Sequence, residues 1–427
     1  MTAQSQSQIR WLLVFWLFVL SAVSFLDRTN ISIAGGSLAA DYGLSNLQLG
    51  FVFSAFLVGY ALFQTPGGWL ADRLGSRRVL TGAVLWWGIF TALVAVIHST
   101  TAHALLYFIA VRFLLGAGEA IIYPASNQFV ARWIPTGQRG IANGLIFAGV
   151  GAGAGVSPPL ITWVMIQYGW RSSFYICALI GLAAGAVWYF IASDKPEQHP
   201  WVSPTELAEI ETGLTVKPSN ASASLVPWSR ILASRSVLAV TIAYFCYGYV
   251  AWIFFSWFFI YLKKVRGLDL KASAAYGMLP FIAMTACCLL GGFLNDRISR
   301  SRGKRTGRVG VAVFSMSLTS AFLIFGSRAS DARLAGVVLA GGAGALYLSQ
   351  SSFWSVTADI GGSSPGSVSG LMNMGAQLGG ALTASLTPWI ADRYGWTASF
   401  LVAAALCTFG ALTWLFVDPD RKLEPQS

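Results

Sequence analysis

The chain has 427 residues, 55% hydrophobic and only 11% charged, with a formal net charge of +11. A soluble domain averages about 25% charged residues, so this chain cannot cover its own surface with polar groups, and water is excluded as the solvent for most of it. Five cysteines without C-x-x-C spacing read as small core residues, and the absence of H-E-x-x-H and P-loop motifs, with only three histidines in the chain, argues against an enzyme and against any cofactor or metal site.

In chain order, the apolar run after Arg10 is too long for a signal-peptide core and has no clear cleavage site. It opens a series of twelve stretches able to span a bilayer: 11–33, 47–71, 79–97, 104–130, 140–166, 172–192, 236–262, 273–294, 309–326, 333–357, 366–390 and 396–417. The first contains "SFLDRTN", with Asp27 beside Arg28. The second runs into "GGWLADRLGSRR" (67–78), and the fourth carries Arg112 and Glu119 in "RFLLGAGEAIIYP". The fifth holds "FAGVGAGAGVSPP", which lacks the Lys-Ser/Thr and the strand context of a nucleotide loop, so its glycines serve helix packing. His98 and His103, at a span boundary, read as surface residues. Residues 193–235, rich in Pro, Ser and charge, form a cytoplasmic linker with a short surface helix over 204–212. It separates an N-terminal bundle (1–192) from a C-terminal one (236–427), six spans each. The seventh span, "YFCYGYVAWIFFSWFFIYL" (244–262), is dense in aromatics, and Tyr244, Tyr247 and Tyr249 are candidates to offer hydroxyls to a cavity.

With the N-terminus placed in the cytoplasm, eighteen Lys and Arg fall in loops and tails on that side and eight on the other. The positive-inside rule therefore puts both termini in the cytoplasm of a multi-pass inner-membrane protein. The same distribution explains the net charge: the basic residues are scattered over many short loops, not gathered into a nucleic-acid-binding face. The lipid bilayer is the expected surrounding, and the chain is expected to act as a monomer.

The halves are copies. "GWLADRLGSRR" (68–78) recurs as "GFLNDRISRSR" (292–302), so that Gly68, Asp72 and Arg73 match Gly292, Asp296 and Arg297. "WVMIQYGWRSSF" (163–174) recurs as "WIADRYGWTASF" (389–400), and at that offset Gly116, Gly118, Gly140, Gly144 and Gly153 meet Gly342, Gly344, Gly366, Gly370 and Gly379. Two parallel repeats imply a path between halves that rock against each other. In the 67–78 loop, Asp72 is placed to face a helix N-terminus, while Arg73, Arg77 and Arg78 are placed to hold acidic and carbonyl partners, together latching one end.

Charges inside the spans break the repeat. Asp27, Arg28, Arg112 and Glu119 all lie in the first half, and Arg112 and Glu119 meet Val338 and Ala345 in the second. An Asp or Arg at a helix centre costs about 2.5–3.5 kcal/mol on insertion scales, so each needs a partner or water. Arg112 and Glu119 share a helix face about 10 Å apart and are too distant to pair well. Asp27 and Arg28 point about 100° apart on their helix. The simplest arrangement pairs Asp27 with Arg112, leaves Arg28 free for a ligand, and lets Glu119 approach either. A guanidinium at the midplane captures a carboxylate bidentately, and two carboxylates beside it are placed to exchange protons, which describes a proton-coupled anion carrier.

The six-plus-six layout and the "GGWLADRLGSRR" loop resemble the major facilitator superfamily, implying an all-α membrane protein of twelve transmembrane helices in two six-helix repeats. Within it, "FLDRTNISIA", "SAFLVGYALFQTPGGWLADRLG" and "RFLLGAGEAIIYPA" resemble the anion:cation symporter family, which includes bacterial sugar-acid carriers and sialin-like carriers. That resemblance implies that Arg28 binds the substrate carboxylate, Asp27 and Glu119 are protonation sites, Arg112 couples them, and Tyr60 lines the cavity. "SSFWSVTAD" (351–359) and "GLMNMGAQLGG" (370–380) resemble the family's helices 10 and 11, where Ser351, Trp354, Asn373 and Gln377 either contact substrate hydroxyls or hydrogen-bond between helices. Galactonate-type members carry a Gln in helix 5, where this chain has Val150. The expectation is symport of a small organic anion, a sugar acid such as an aldonate, hexuronate or aldarate, with a proton or sodium. A carrier of aromatic carboxylates or other anions, and a facilitator or exporter, are the alternatives.

Overall fold

A computed structural model describes residues 7–97, 103–214 and 225–424; His98 and part of the linker lie outside them. The described residues form helices and connecting loops. In the first half these are α1 (Ile9–Tyr42), α2 (Asn46–Leu74), α3 (Ser76–Val96), α4 (Ala104–Trp133), α5 (Arg139–Tyr168) and α6 (Trp170–Ile191). In the second they are α7 (Arg235–Ser256), α8 (Leu270–Arg302), α9 (Val311–Arg328), α10 (Ala332–Ile360), α11 (Pro365–Tyr394) and α12 (Trp396–Thr413). Helix α4 has a turn at Ala120–Ile121 and α10 is interrupted at Ser349.

Eleven of the helices are apolar and long enough to cross a membrane by length and composition. The exception, α11, is 30 residues long but carries Ser367, Ser369, Asn373, Thr383 and Thr387, all buried against other helices. Its polar groups face protein, so they cost little in lipid.

The repeat is visible in the packing. The pairs α1–α5, α2–α4, α3–α6 and α1–α6 recur as α7–α11, α8–α10, α9–α12 and α7–α12. The most extensive packing between the halves is α2 with α11 and α5 with α8, and these two pairs are also exchanged by the repeat. Glycines set these crossings. A Cβ on Gly153 of α5 would lie 2.2 Å from the Ala22 carbonyl oxygen of α1, and one on Gly379 of α11 would lie 2.1 Å from that of Phe245 in α7. No side chain fits at such approaches, which is why the sequence repeats glycine there. Helices α2 and α8 both end on a glycine with positive φ, Gly75 (φ 90°) and Gly303 (φ 87°), a backbone conformation open mainly to glycine.

The linker folds where the sequence places a surface helix, at Pro204–Gly213. Its Glu206 is buried and accepts hydrogen bonds from the Ile9 N–H (3.1 Å), the Arg10 N–H (3.0 Å) and the Ser7 hydroxyl (2.6 Å), capping α1. Arg10 also meets Glu209 at 2.5 Å and holds that carboxyl below its ordinary value. The sign follows: the contact adds stability above the usual carboxylate range and loses it as pH falls through the lowered Glu209 value. Glu206→Ala leaves the first N–H groups of α1 without their acceptor and is expected to destabilise by about 1–2 kcal/mol, read as a lower melting temperature.

Candidate functional site

The charged residues of the first half meet around α2. Gly59 of α2 and Gly116 of α4 bring these helices together: added Cβ atoms would lie 2.1 Å from the Phe113 carbonyl oxygen and 2.2 Å from that of Phe56. That approach sets Arg112 of α4 over the Phe56 ring, its guanidinium carbon 4.6 Å from the ring centre. Arg28 of α1 reaches the same ring from the other direction at 5.7 Å, and lies 4.2 Å from Tyr60 and 4.7 Å from Phe25. Three rings thus hold a desolvated guanidinium by cation–π contact.

The pairing differs from the sequence expectation. Arg28 Nε donates to Glu119 Oε2 at 2.8 Å, and Glu119 is fully buried. Asp27 makes no ion pair with Arg112, and neither Asp27 oxygen has a hydrogen-bond partner among the described residues. Arg28 is therefore not wholly free for a ligand: Glu119 takes one edge of its fork, and its NH2 group has no partner. The reason is local. Helix α4 turns immediately after Glu119, and Asp27, one residue before Arg28, is directed to α6 beside Cys177.

A cavity of about 1110 Å³ opens beside these groups, between the halves. Arg28, Tyr60, Arg112, Asn373 and Gln377 line it, with Phe25, Phe56, Tyr123, Phe147, Tyr244, Tyr247, Tyr347 and Gln350 around them. It extends along the C-terminal part of α1 (Ser32), the start of α2 (Phe53), the α5 prolines Pro158 and Pro159, and Ser256 at the end of α7, away from the end that carries both termini. Asp27 and Glu119 are not among its lining residues.

Several expected contacts are displaced by one layer. Trp354 does not line the cavity; its indole N–H donates to the Tyr244 hydroxyl at 3.0 Å. Ser351 is fully buried outside the lining, directed to α5 near Gly144. Tyr249 also turns away, its hydroxyl 3.2 Å from that of Thr387. In their place Gln350 lines the wall and donates to Tyr244 at 2.9 Å, a hub that the sequence reading missed. Asn373 faces the cavity and also bridges the halves, donating to Gln64 Oε1 of α2 at 2.8 Å, the bond between helices that was one of its two expected roles.

The end carrying the termini is shut. Asp72, at the end of α2, accepts from the N–H groups of Gly366 (2.8 Å) and Ser367 (2.7 Å) and from the Ser367 hydroxyl (2.7 Å), at the N-terminus of α11. Its repeat partner Asp296, in the last turns of α8, accepts from Gly140 (2.8 Å) and Ile141 (2.7 Å), at the N-terminus of α5. Each carboxylate meets the positive end of a helix dipole in the opposite half. The glycines Gly68 and Gly292 allow it, since Cβ atoms there would lie 2.0 Å from the Gly366 oxygen and 2.5 Å from the Gly140 oxygen.

The arginines of the motif do less than expected. Arg77 donates to the Tyr189 carbonyl at 2.9 Å, but Arg73 lies over Trp69 and Arg297 over Phe293, and Arg78 is exposed; none of these three makes an ion pair among the described residues. The ionic part of the latch comes from residues the sequence reading took as loop charges or span ends. Arg139 donates to Asp359 at 2.6 Å across the halves, and Arg308 binds Asp359 at 3.1 Å and Asp296 at 2.9 Å. The usable signal was position: Arg139 and Asp359 sit at the very ends of their spans, where a charge can still be buried between helices.

The Major Facilitator Superfamily profile matches residues 17–384 and 361–427. The "Probable sulfoacetate transporter SauU" of Cupriavidus necator is 33% identical over 400 residues, covering 93% of this chain and 91% of that one. The "Probable galactarate/D-glucarate transporter GudP" of Bacillus subtilis is 30% identical over 345 residues, 79% of this chain and 76% of that one. Among solved structures, a proton:xylose symporter superposes with a TM-score of 0.74 at 15% identity, over 96% of this chain and 97% of that one, a likeness of fold.

Proposed function

The chain belongs to the Major Facilitator Superfamily, a family of transporters and not of enzymes, and from that premise we propose that it is a secondary active transporter that carries a small organic anion, a sugar acid, together with a proton. Transport is by alternating access across the cell inner membrane, with both termini in the cytoplasm and the chain acting as a monomer.

The observation that carries this reading is the half-engaged Arg28. Its Nε edge is held by Glu119 while its NH2 group, deep in an aromatic-walled cavity, has no partner. An anion entering the cavity and Glu119 compete for one guanidinium. A proton on Glu119 releases that edge for the substrate, so substrate and proton binding favour each other, and by linkage the favour is mutual. Asp27, buried on the other side of α1 with no hydrogen-bond partner for its carboxyl oxygens among the described residues, is the second proton site. The relatives named for sulfoacetate and for galactarate/D-glucarate support a small organic anion as cargo. Tyr60, Tyr244, Tyr247, Gln350, Asn373 and Gln377 offer hydroxyls and amides for a polyol chain. The many rings in the same wall favour a second cargo, an aromatic carboxylate.

Uptake into proteoliposomes tests this. A sugar acid is expected to accumulate under an imposed pH gradient, and Glu119→Gln and Asp27→Asn are each expected to uncouple accumulation from the gradient. If both variants keep gradient-driven uptake, proton coupling through these residues is wrong. Accumulation driven by a sodium gradient at equal pH identifies sodium as the coupling ion, and flux that equilibrates without accumulating identifies a facilitator.

A further inference from the structure

The geometry points to a substrate with two anionic groups, one held by Arg28 and the other by Arg112. This deepens, and rests on, the carrier reading above. Both guanidiniums line the same cavity, and no Asp or Glu does. Arg112 is 2% exposed, and among the described residues it makes no ion pair and no hydrogen bond; its Nε and NH1 are buried without a partner. The nearby carboxylates, Glu119 and Asp27, act on it through space, but neither is bonded to it. Glu119 gives Oε2 to Arg28, and Asp27 is directed to α6, outside the cavity wall.

Arg112 and Arg28 flank one ring, at 4.6 and 5.7 Å from the centre of Phe56, so a single short ligand reaches both. A guanidinium stays charged in any conformational state. With protons on Glu119 and Asp27 and a monoanion on Arg28, Arg112 would remain a desolvated cation facing an aromatic wall, and in such surroundings an unanswered charge costs several kcal/mol. A dianion answers both. The position is not inherited from the scaffold, since the repeat has Val338 at the corresponding place in α10. A dicarboxylate and a sulfocarboxylate share the required chemistry.

The test uses matched ligand pairs in which a hydroxymethyl group replaces one carboxylate: galactarate against galactonate, and sulfoacetate against 2-hydroxyethanesulfonate. Affinities are measured by thermal stabilisation of the full chain in lipid nanodiscs. In the unmodified protein, the dianion of at least one pair is expected to bind about tenfold or more tightly than its monoanion. Arg112→Gln is expected to collapse that ratio to about twofold, by weakening the dianion far more than the monoanion, and Arg112→Lys to restore part of it. Equal affinities within both pairs, or a ratio that Arg112→Gln leaves unchanged, overturn the two-anion site. The carrier reading survives that result provided Arg28→Gln still removes binding. If none of the four ligands stabilises the protein, the sugar-acid and dianion readings fall together. Should Arg112→Gln not fold, the ratio in the unmodified protein and in Arg112→Lys decides.

Discussion

Arg28→Gln is expected to weaken anion binding more than a hundredfold. The side chain it removes offers the cavity a fork of N–H donors whose position is over-determined: Glu119 fixes Nε at 2.8 Å, and Phe25 and Tyr60 lie 4.7 and 4.2 Å from the guanidinium carbon. The fork is therefore aimed before the ligand arrives, and little side-chain entropy is lost on binding. Truncating one member of a buried, hydrogen-bonded charge pair costs about 2–5 kcal/mol, and about 2.7 kcal/mol is already a hundredfold in affinity. The same substitution leaves Glu119 buried without its cation, which destabilises the fold by about 3–5 kcal/mol in comparable pairs. Loss of binding and loss of structure must be separated. Adding Glu119→Gln to Arg28→Gln removes the orphaned charge and is expected to recover most of the melting temperature while leaving the ligand unbound. Recovery of ligand affinity together with stability would show that Arg28 supports the fold without touching the anion.

The path from sequence to this site was only partly open. The twelve spans were legible because apolar length is a nearly sufficient signal in lipid, and α11, with Asn373 and Gln377 in its middle, was counted among them on that ground. The latch aspartates were legible because the same motif occurs twice, at Asp72 and Asp296. The pairing of Arg28 with Glu119 was not. Helical periodicity gives the angle between Asp27 and Arg28 correctly, but which neighbour each angle meets depends on how α4 turns after Glu119 and how closely Gly59 and Gly116 let it approach α2. Trp354 and Ser351 illustrate the same limit. In α10, where every residue of 350–360 is buried, a polar side chain has protein on all sides, and sequence alone does not say which side is the cavity. Arg139 and Arg308 count as topology charges in the sequence, and Asp359 carries no role there, because a charge at a span end serves either purpose until the opposing helix is known.

Gly68→Val is expected to open the end of the molecule that carries the termini. At that crossing α2 meets the first residues of α11 with no room for a side chain: even a methyl carbon would sit 2.0 Å from the Gly366 oxygen and 2.5 Å from its carbonyl carbon. The obstacle is backbone on both sides, so no rotamer change relieves it, and overpacking of this kind costs about 1–3 kcal/mol or more. Moving the helices apart also draws Asp72 away from the two N–H groups and the hydroxyl it holds. Hydrogen bonds to a charged acceptor are worth about 1.5–3 kcal/mol each, so the two losses compound. The opposite seam, α5 with α8, has Arg308 and the Arg139–Asp359 pair in addition to Asp296. The two seams are thus unequal, and the α2–α11 seam is the weaker. Spin labels at Arg78 and Ser301, on the ends of the two halves in a cysteine-free background, report the gap directly. The distance distribution is expected to shift to longer values in Gly68→Val and, by a smaller amount, in Asp72→Asn. An unchanged distribution in Gly68→Val would mean that this crossing does not hold the end shut. In the alternating access proposed above, closing this end and opening the other are one rocking motion, so a molecule locked open here is expected also to lose the cavity, and with it the affinity for anion presented from the opposite side.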